Sequence, residues 1–498
     1  MQRAALSVRL YFRYVTNMND RSVYPLGKRR TLIVFAGLIL GMLVAALNQT
    51  IVATAAPRIV EDLGGFEQYS WVFSAYVLCM TITVPLYGKL SDLYGRRPFF
   101  MLGIVLFAAG SVLAGLAPTF ELLIAGRAVQ GLGAGGLIPL AIAVIGDIIP
   151  PRRRGKWQGL TSGVFAVSSV LGPATGGWIA DNASWRWAFF VSLPVAAIAL
   201  VVVWFGFGKR EQRERHAIDV VGAFLLTGAA ASGLYAAASG GVEAPWTSPL
   251  ILGLLVLSAA LAAAFVVWER RVDEPILPLA LFRERTIASA QIALFTVGAA
   301  AFGTIMIVSL FVQRVLGESA TYSGAVLTPL MLGWILASVL SGQIVSHTGR
   351  YRPVLLAGPP VMALGFLLLS GMGVGTSPSE TVRNVFVIGF GVGLVMQTFI
   401  VVVQNSVPRR MMGVATASAQ FSRMVGATVG VTVMGTIMTV RLDGESAGAA
   451  NPAELADAIH PVFFVGLALA GLAFVATLFL PHQELRDRMD AEPAPQPA

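Results

Sequence analysis

Asp92 stands in a setting suited to a specific task in this sequence of 498 residues. In GKLSDLYGRRP, from Gly88 to Pro98, it lies between Gly88 and Gly95 and is followed by Arg96 and Arg97. The glycines permit close helix approach and a tight turn. A carboxylate there can accept hydrogen bonds at a neighbouring helix N-terminus, where the dipole favours an anion. The group reads as a breakable latch, with the chain near Met412 and the cations Arg96, Arg97 and Arg152 as expected partners. Asp147 is placed to pair with Arg96 or Arg97. The plainer alternative is a charged loop that only directs topology.

Arg127 and Arg423 fall inside apolar stretches, where a guanidinium is costly and needs acceptors. Arg127 lies six residues, about 9 Å, inside the stretch if Glu121 marks its end. Its expected acceptors are Asn48, Gln49 and Gln130. In GPATGG, Pro173 removes a backbone donor and bends a helix, while Gly172, Gly176 and Gly177 leave a face free for close packing. That face suits a gate or a purely structural interface equally well.

Enzyme chemistry finds little support. The four histidines, His216, His347, His460 and His482, are dispersed without metal-ligand spacing. No phosphate-binding loop is present, and no metal or other cofactor is expected. The single cysteine, Cys79, cannot form an internal disulfide and reads as core filler.

The elements that position these residues are membrane helices. Hydrophobic residues make up 56% and charged residues 12% of the chain, too apolar a balance for a soluble protein of this length. Apolar segments fall at about 32–56, 69–90, 98–117, 121–147, 157–181, 185–206, 218–239, 249–268, 286–313, 321–346, 353–373, 381–404, 412–440 and 459–481. Each has the roughly 20 residues needed to cross a bilayer core, and without strand-like alternation they must be helices. The expectation is an all-α integral membrane protein with fourteen spans. Of the 35 Lys and Arg, only Arg58, Arg186, Arg314, Arg383 and Arg441 fall on the side opposite the termini, and Arg127 and Arg423 lie within spans. Both termini are therefore expected in the cytoplasm. The net charge of +9 is then topological, with some affinity for anionic lipid. Nucleic acid is not an expected partner, because the basic residues are scattered over short loops.

Residues 1–31 form a basic leader, read either as an amphipathic surface helix from Ala5 to Met18 or as disordered, and not as a cleavable signal. Residues 482–498 form a polar tail. Between them, GKLSDLYGRRP is echoed by GQIVSHTGRYRP, with Gly88/Gly342, Gly95/Gly349 and Arg96/Arg350 at the same offset. The echo divides the chain into a six-helix bundle at 32–206, two additional helices with their loops at 207–285, and a second six-helix bundle at 286–481. Parallel repeats of this kind are an architecture of transporters whose halves rock about a midplane site.

GKLSDLYGRR resembles the loop signature of the major facilitator superfamily, and LIAGRAVQGLG (Leu123 to Gly133) resembles its fourth-helix signature. GPATGG is similar to the fifth-helix motif of its antiporters, and LNQTIVATAAP (Leu47 to Pro57) to the first-helix motif of its drug:proton exporters. WRWAFF (Trp185 to Phe190) and QNSVP (Gln404 to Pro408) look like its fourteen-helix branch. The resemblance implies the major facilitator fold and a multidrug-type exporter in a bacterial inner membrane. Its implied partners are small amphipathic substrates, protons as coupling ion and membrane lipid, and the expected state is a monomer. A dedicated exporter of one metabolite or lipid stays open, as does a membrane enzyme or scramblase.

A transport cavity in this framework would be apolar with amide, hydroxyl and aromatic contacts. Its candidates are Asn48, Gln49, Thr50, Arg127, Gln130, Gln291, Trp334, Gln397, Gln420 and Arg423, each of which also reads as packing. Many of the resembling exporters carry an acid where this chain has Asn48. All 26 acidic residues here fall in loops or at helix ends, so coupling through Asp92 or Asp147, protonation of the substrate, and transport without obligate proton coupling are all open. Two buried arginines without a buried acid favour neutral or anionic amphiphiles over dications.

Overall fold

A run of apolar residues in lipid has no water to satisfy its backbone, so each run closes its own hydrogen bonds as a helix. The computed structural model describes residues 28–63, 71–149, 151–207, 218–241, 244–318, 320–442 and 451–481. The first 27 residues, the tail 482–498 and the side chains of Arg152 and Pro173 lie outside the described residues.

The first bundle consists of α1 (Lys28–Leu63), α2 (Trp71–Tyr94), α3 (Arg96–Gly115), α4 (Phe120–Ile148), α5 (Pro151–Asn182) and α6 (Trp187–Gly206). A pair follows, α7 (Val220–Ser239) and α8 (Pro249–Glu269). The second bundle has α9 (Arg285–Leu310), α10 (Ala320–Thr348), α11 (Arg352–Ser370), α12 (Pro378–Asn405), α13 (Met412–Arg441) and α14 (Pro452–Leu478). Among the described residues, thirteen helices are long and apolar enough to cross a membrane. The fifth expected span lies on α5, which has 32 residues; several of its side chains lie outside the described residues, and it is not counted among the thirteen. Helix α14 starts earlier than the hydropathy pattern predicts, because Asn451 and Glu454 form a reciprocal capping box on a polar first turn.

Each bundle has its own apolar core. Val34, Met42, Phe100, Phe107 and Leu137 lie in that of the first bundle, and Leu294, Phe311, Leu330, Phe366 and Phe399 in that of the second. Helices α4 and α12 are the most enclosed, with 83% of their apolar windows buried, whereas α8 has 11% and faces outward. The bundles meet along two seams, α2 against α13 and α5 against α10. Helix α7 lies beside the first seam and touches both partners. Tyr235 packs against Trp71 of α2 with ring centroids 5.0 Å apart, and Thr432 of α13 donates to the Ala237 carbonyl at 3.0 Å.

Candidate functional site

The loop from α2 to α3 meets the N-terminus of α13. Helix approach is close because Gly88 has no side chain: a Cβ there would run into the Gly413 carbonyl and the Ala417 methyl. Gly95 ends the approach with φ 100°, in the region that favours glycine. This geometry brings Asp92 to two unsatisfied donors of the first turn of α13. Its Oδ1 accepts from the Gly413 N–H at 2.9 Å, and its Oδ2 from the Val414 N–H at 2.8 Å. The helix N-terminus supplies both the donors and a favourable dipole.

Arg96 ties the same carboxylate to the first bundle. Its Nη2 lies 2.5 Å from Asp92 Oδ1, and its Nε donates to Asp147 Oδ2 of α4 at 2.8 Å. Its Nη1 donates to Ser91 Oγ at 2.6 Å. These side chains are buried, so losing one partner would strand charge away from water. Arg97 takes a different direction, over the Trp204 ring of α6 at 4.5 Å, and is not part of this cluster.

A second layer of neutral bonds joins the bundles at the same end. Gln404 of α12 accepts from Gln158 Nε2 of α5 at 2.9 Å. Its own Nε2 reaches the Ile142 carbonyl of α4 and Thr416 Oγ1 of α13, both at 3.0 Å. Gln397 Nε2 donates to Ser162 Oγ at 3.2 Å. Sequence reasoning assigned no role to Ser91, Gln158, Gln404 or Thr416. The signal for Gln404 was a buried amide within an otherwise apolar helix, in the quoted QNSVP.

The polar residues of the first bundle converge on Arg127 rather than on open space. Its Nη1 donates to Asn48 Oδ1 at 2.6 Å and Gln130 Oε1 at 2.8 Å, and its Nε to the Val72 carbonyl at 2.7 Å. The guanidinium lies over the Tyr76 ring, 4.3 Å from the centroid. Gln130 continues the chain by donating to Ser111 Oγ at 2.7 Å. Arg127 is 1% exposed, and Asn48 and Gln130 are fully buried. All of these acceptors are neutral.

Thr50 donates to the Ser168 carbonyl of α5 at 3.0 Å, which makes it a helix contact. Gly172 and Gly176 lie where a Cβ would strike the hydroxyls of Thr50 and Thr54, while Gly177 faces open space and does not share that contact. Gln49 and Trp334 are half-buried. In the second bundle, Gln291 donates to Ser418 Oγ at 2.8 Å, and Arg423 Nε donates to Gln420 Oε1 at 2.8 Å. These amide candidates therefore fall into separate groups: Asn48 and Gln130 around Arg127, Gln420 on Arg423, Gln291 on Ser418, and Gln397 on the contact between bundles.

At the opposite end of the first bundle, Asp62 Oδ2 accepts from the Trp185 indole at 2.9 Å and from Arg186 Nη1 at 3.0 Å. Arg186 also donates to the Ala117 carbonyl at 3.2 Å, so α1, α3 and the start of α6 are clasped together. The Trp185 hydrogen bond, then that of Arg186, holds the Asp62 carboxyl below its ordinary value.

A sequence profile of the Major Facilitator Superfamily matches residues 38–431. The multidrug transporter protein MdtP of Bacillus subtilis (strain 168) is 39% identical over 413 residues, covering 83% of this chain and 76% of its own. Multidrug resistance protein 3 of the same organism is 38% identical over 409 residues, covering 82% and 80%. Among solved structures, the human organic anion transporter MFSD10 (TETRAN) superposes with a TM-score of 0.65 at 17% identity, over 92% of this chain and all of that one, a likeness of fold.

Proposed function

This chain belongs to the Major Facilitator Superfamily, and we propose that it is a proton-driven secondary exporter of amphipathic small molecules that works by alternating access. The observation that carries the reading is the closure of one end of the bundle pair by Asp92 on the first turn of α13. A closure made of a few hydrogen bonds can be broken and remade as the halves rock, which a continuous apolar core could not. Relatives named as multidrug transporters supply the substrate class.

The excess of Lys and Arg in the loops on the termini side puts the Asp92 end of the molecule in the cytoplasm. The closed latch then corresponds to a conformation shut toward the cytoplasm. The protein acts as a monomer in a bacterial inner membrane, with each half supplying one side of the central path. Half-buried Gln49 and Trp334 are the candidates left for contact with substrate, since Asn48, Arg127 and Gln130 are already engaged with one another. Purified protein in proteoliposomes, loaded with a lipophilic dye and given a pH gradient, provides the test. Gradient-dependent dye movement that collapses with a protonophore supports the reading. Dye movement indifferent to the gradient overturns the coupling, and consumption of the dye overturns transport.

A further inference from the structure

Two acids of the α7–α8 pair take no part in the latch. Asp219 caps α7, with Oδ1 accepting from the Gly222 N–H and the Trp268 indole, both at 2.8 Å. Glu269 ends α8, with Oε1 accepting from the N–H groups of Ile276 and Leu277 at 3.1 and 3.2 Å. The residues are 9% and 5% exposed. Among the described residues, their second oxygens, Asp219 Oδ2 and Glu269 Oε2, have no hydrogen-bond partner. Structural work therefore accounts for one oxygen of each acid and leaves the other buried and unsatisfied. A buried carboxylate oxygen in that condition is costly.

The charges around the two acids sharpen the point. The Asp219 carboxylate repels that of Glu269, and Lys89 of α2 attracts both. Lys89 Nζ also lies 3.9 Å from Glu274 Oε2, on the chain after α8, and feels Asp92 on its own helix. One cation thus faces the acids of α7, of α8, of the following chain and of the latch. Among the described residues, no three acidic or imidazole side chains converge closely enough to hold a metal ion. A proton is the cation that fits: it removes one of two repelling charges and gives an orphan oxygen a donor.

We propose that Asp219 and Glu269 share a proton-binding site, and that Lys89 transmits its occupancy to Asp92. The inference rests on the reading of the protein as a proton-coupled transporter and supplies a titratable group where Asn48 has none. When the pair is deprotonated, Lys89 is drawn to it; when one carboxyl takes up a proton from water, Lys89 is released toward Asp92 and Glu274. Helix α7, packed against α2 and hydrogen-bonded to α13, is placed to pass the change to both sides of the seam.

The conservative amides isolate titration from structure. Asp219→Asn keeps a good helix cap, and Glu269→Gln keeps an oxygen for the two backbone donors. Infrared difference spectra of the full chain in nanodiscs, taken over a pH titration without substrate, read proton binding directly and do not depend on transport. A protonated-carboxyl band that titrates in the wild type is expected to be lost in both amides and retained in Asp62→Asn. Absence of the band in the wild type, its persistence in both amides, or its loss in only one overturns the shared site. So does a band displaced by sodium at constant pH. Failure of dye transport with the band behaving as expected would instead count against the exporter reading alone.

Discussion

Asp92 and Gly413 stand 321 residues apart in sequence and 2.9 Å apart across the seam of the two bundles. With Val414 beside it, the carboxylate replaces the hydrogen bonds that the first turn of any helix lacks. The latch is thus specified by three things at once: an acid, a glycine that lets the helices touch, and a helix start directed at the acid.

Replacing Asp92 with Asn removes half of this arrangement. The amide offers one oxygen for two donors, and its NH2 would face a backbone N–H. Hydrogen bonds to a charged group contribute about 1.5–3 kcal/mol each, so efflux should fall by roughly tenfold or more with membrane insertion unchanged. Wild-type efflux in D92N, measured beside its amount in the membrane, would show that the loop only sets topology.

The glycines of α2 and α5 predict opposite outcomes. Gly88→Ala places a methyl against the Gly413 carbonyl and the Ala417 methyl, so it should weaken the closed seam and reduce transport. Gly177→Ala meets nothing and should leave transport intact while raising stability by up to about 1 kcal/mol through helix propensity. Gly172→Ala, which meets the Thr50 hydroxyl, should lie between them. Thermal unfolding and dye efflux of the three variants test the order, and equal behaviour of Gly88→Ala and Gly177→Ala would refute it.

Much of this was legible because it is local. Apolar runs fix helices, Gly-x-x-x-Asp and a following Arg mark a tight charged loop, and an arginine in an apolar run demands acceptors nearby. Asp147 could be paired with Arg96 or Arg97, and the acceptors of Arg127 sought among Asn48, Gln49 and Gln130, since few polar groups lie at matching depth; the structure takes Arg96, Asn48 and Gln130. What sequence cannot encode locally is direction around a helix axis. Arg97 differs from Arg96 by about 100° of rotation and so meets Trp204 instead of the latch. Thr50, read as a cavity residue, faces α5 for the same reason. The Asp219–Glu269 pairing depends on how α7 and α8 sit against α2, which no single segment records.

The Asp62 clasp carries a pH dependence of known sign. Its carboxyl is held below the ordinary 3.8 by Trp185 and then Arg186. A depressed value means that the stabilisation is present above the unfolded value and lost as pH falls through the folded one. The difference in thermal midpoint between wild type and Asp62→Asn should therefore be constant through neutral and mildly acid pH. It should shrink only below 3.8. A difference that fades near neutral pH would assign the effect to another group.

Asn48 offers the most informative substitution, because it accepts from Arg127 Nη1 at 2.6 Å while its own Nδ2 has no partner among the described residues. The Arg127 guanidinium is buried among neutral acceptors and over the Tyr76 ring, so its charge is met by dipoles and a ring face and, among the described residues, by no counter-charge. Asn48→Asp is nearly isosteric and would place a counter-charge in contact with it, exchanging an orphan donor for an acceptor. A charge-assisted bond in place of a neutral one should stabilise the first bundle by about 1–2 kcal/mol. The effect should disappear when Arg127→Gln is added, since the carboxylate then has no cation. Transport by N48D should also become more dependent on pH and shift toward cationic dyes, provided the ion pair opens during the cycle. The measurements are thermal midpoints of the single and double variants and efflux of a cationic and a neutral dye over a pH series. A midpoint that falls in N48D would show that desolvating the new carboxylate outweighs its pairing. A raised midpoint with an unaltered dye ratio would show that the Arg127 network is structural and stays closed throughout transport.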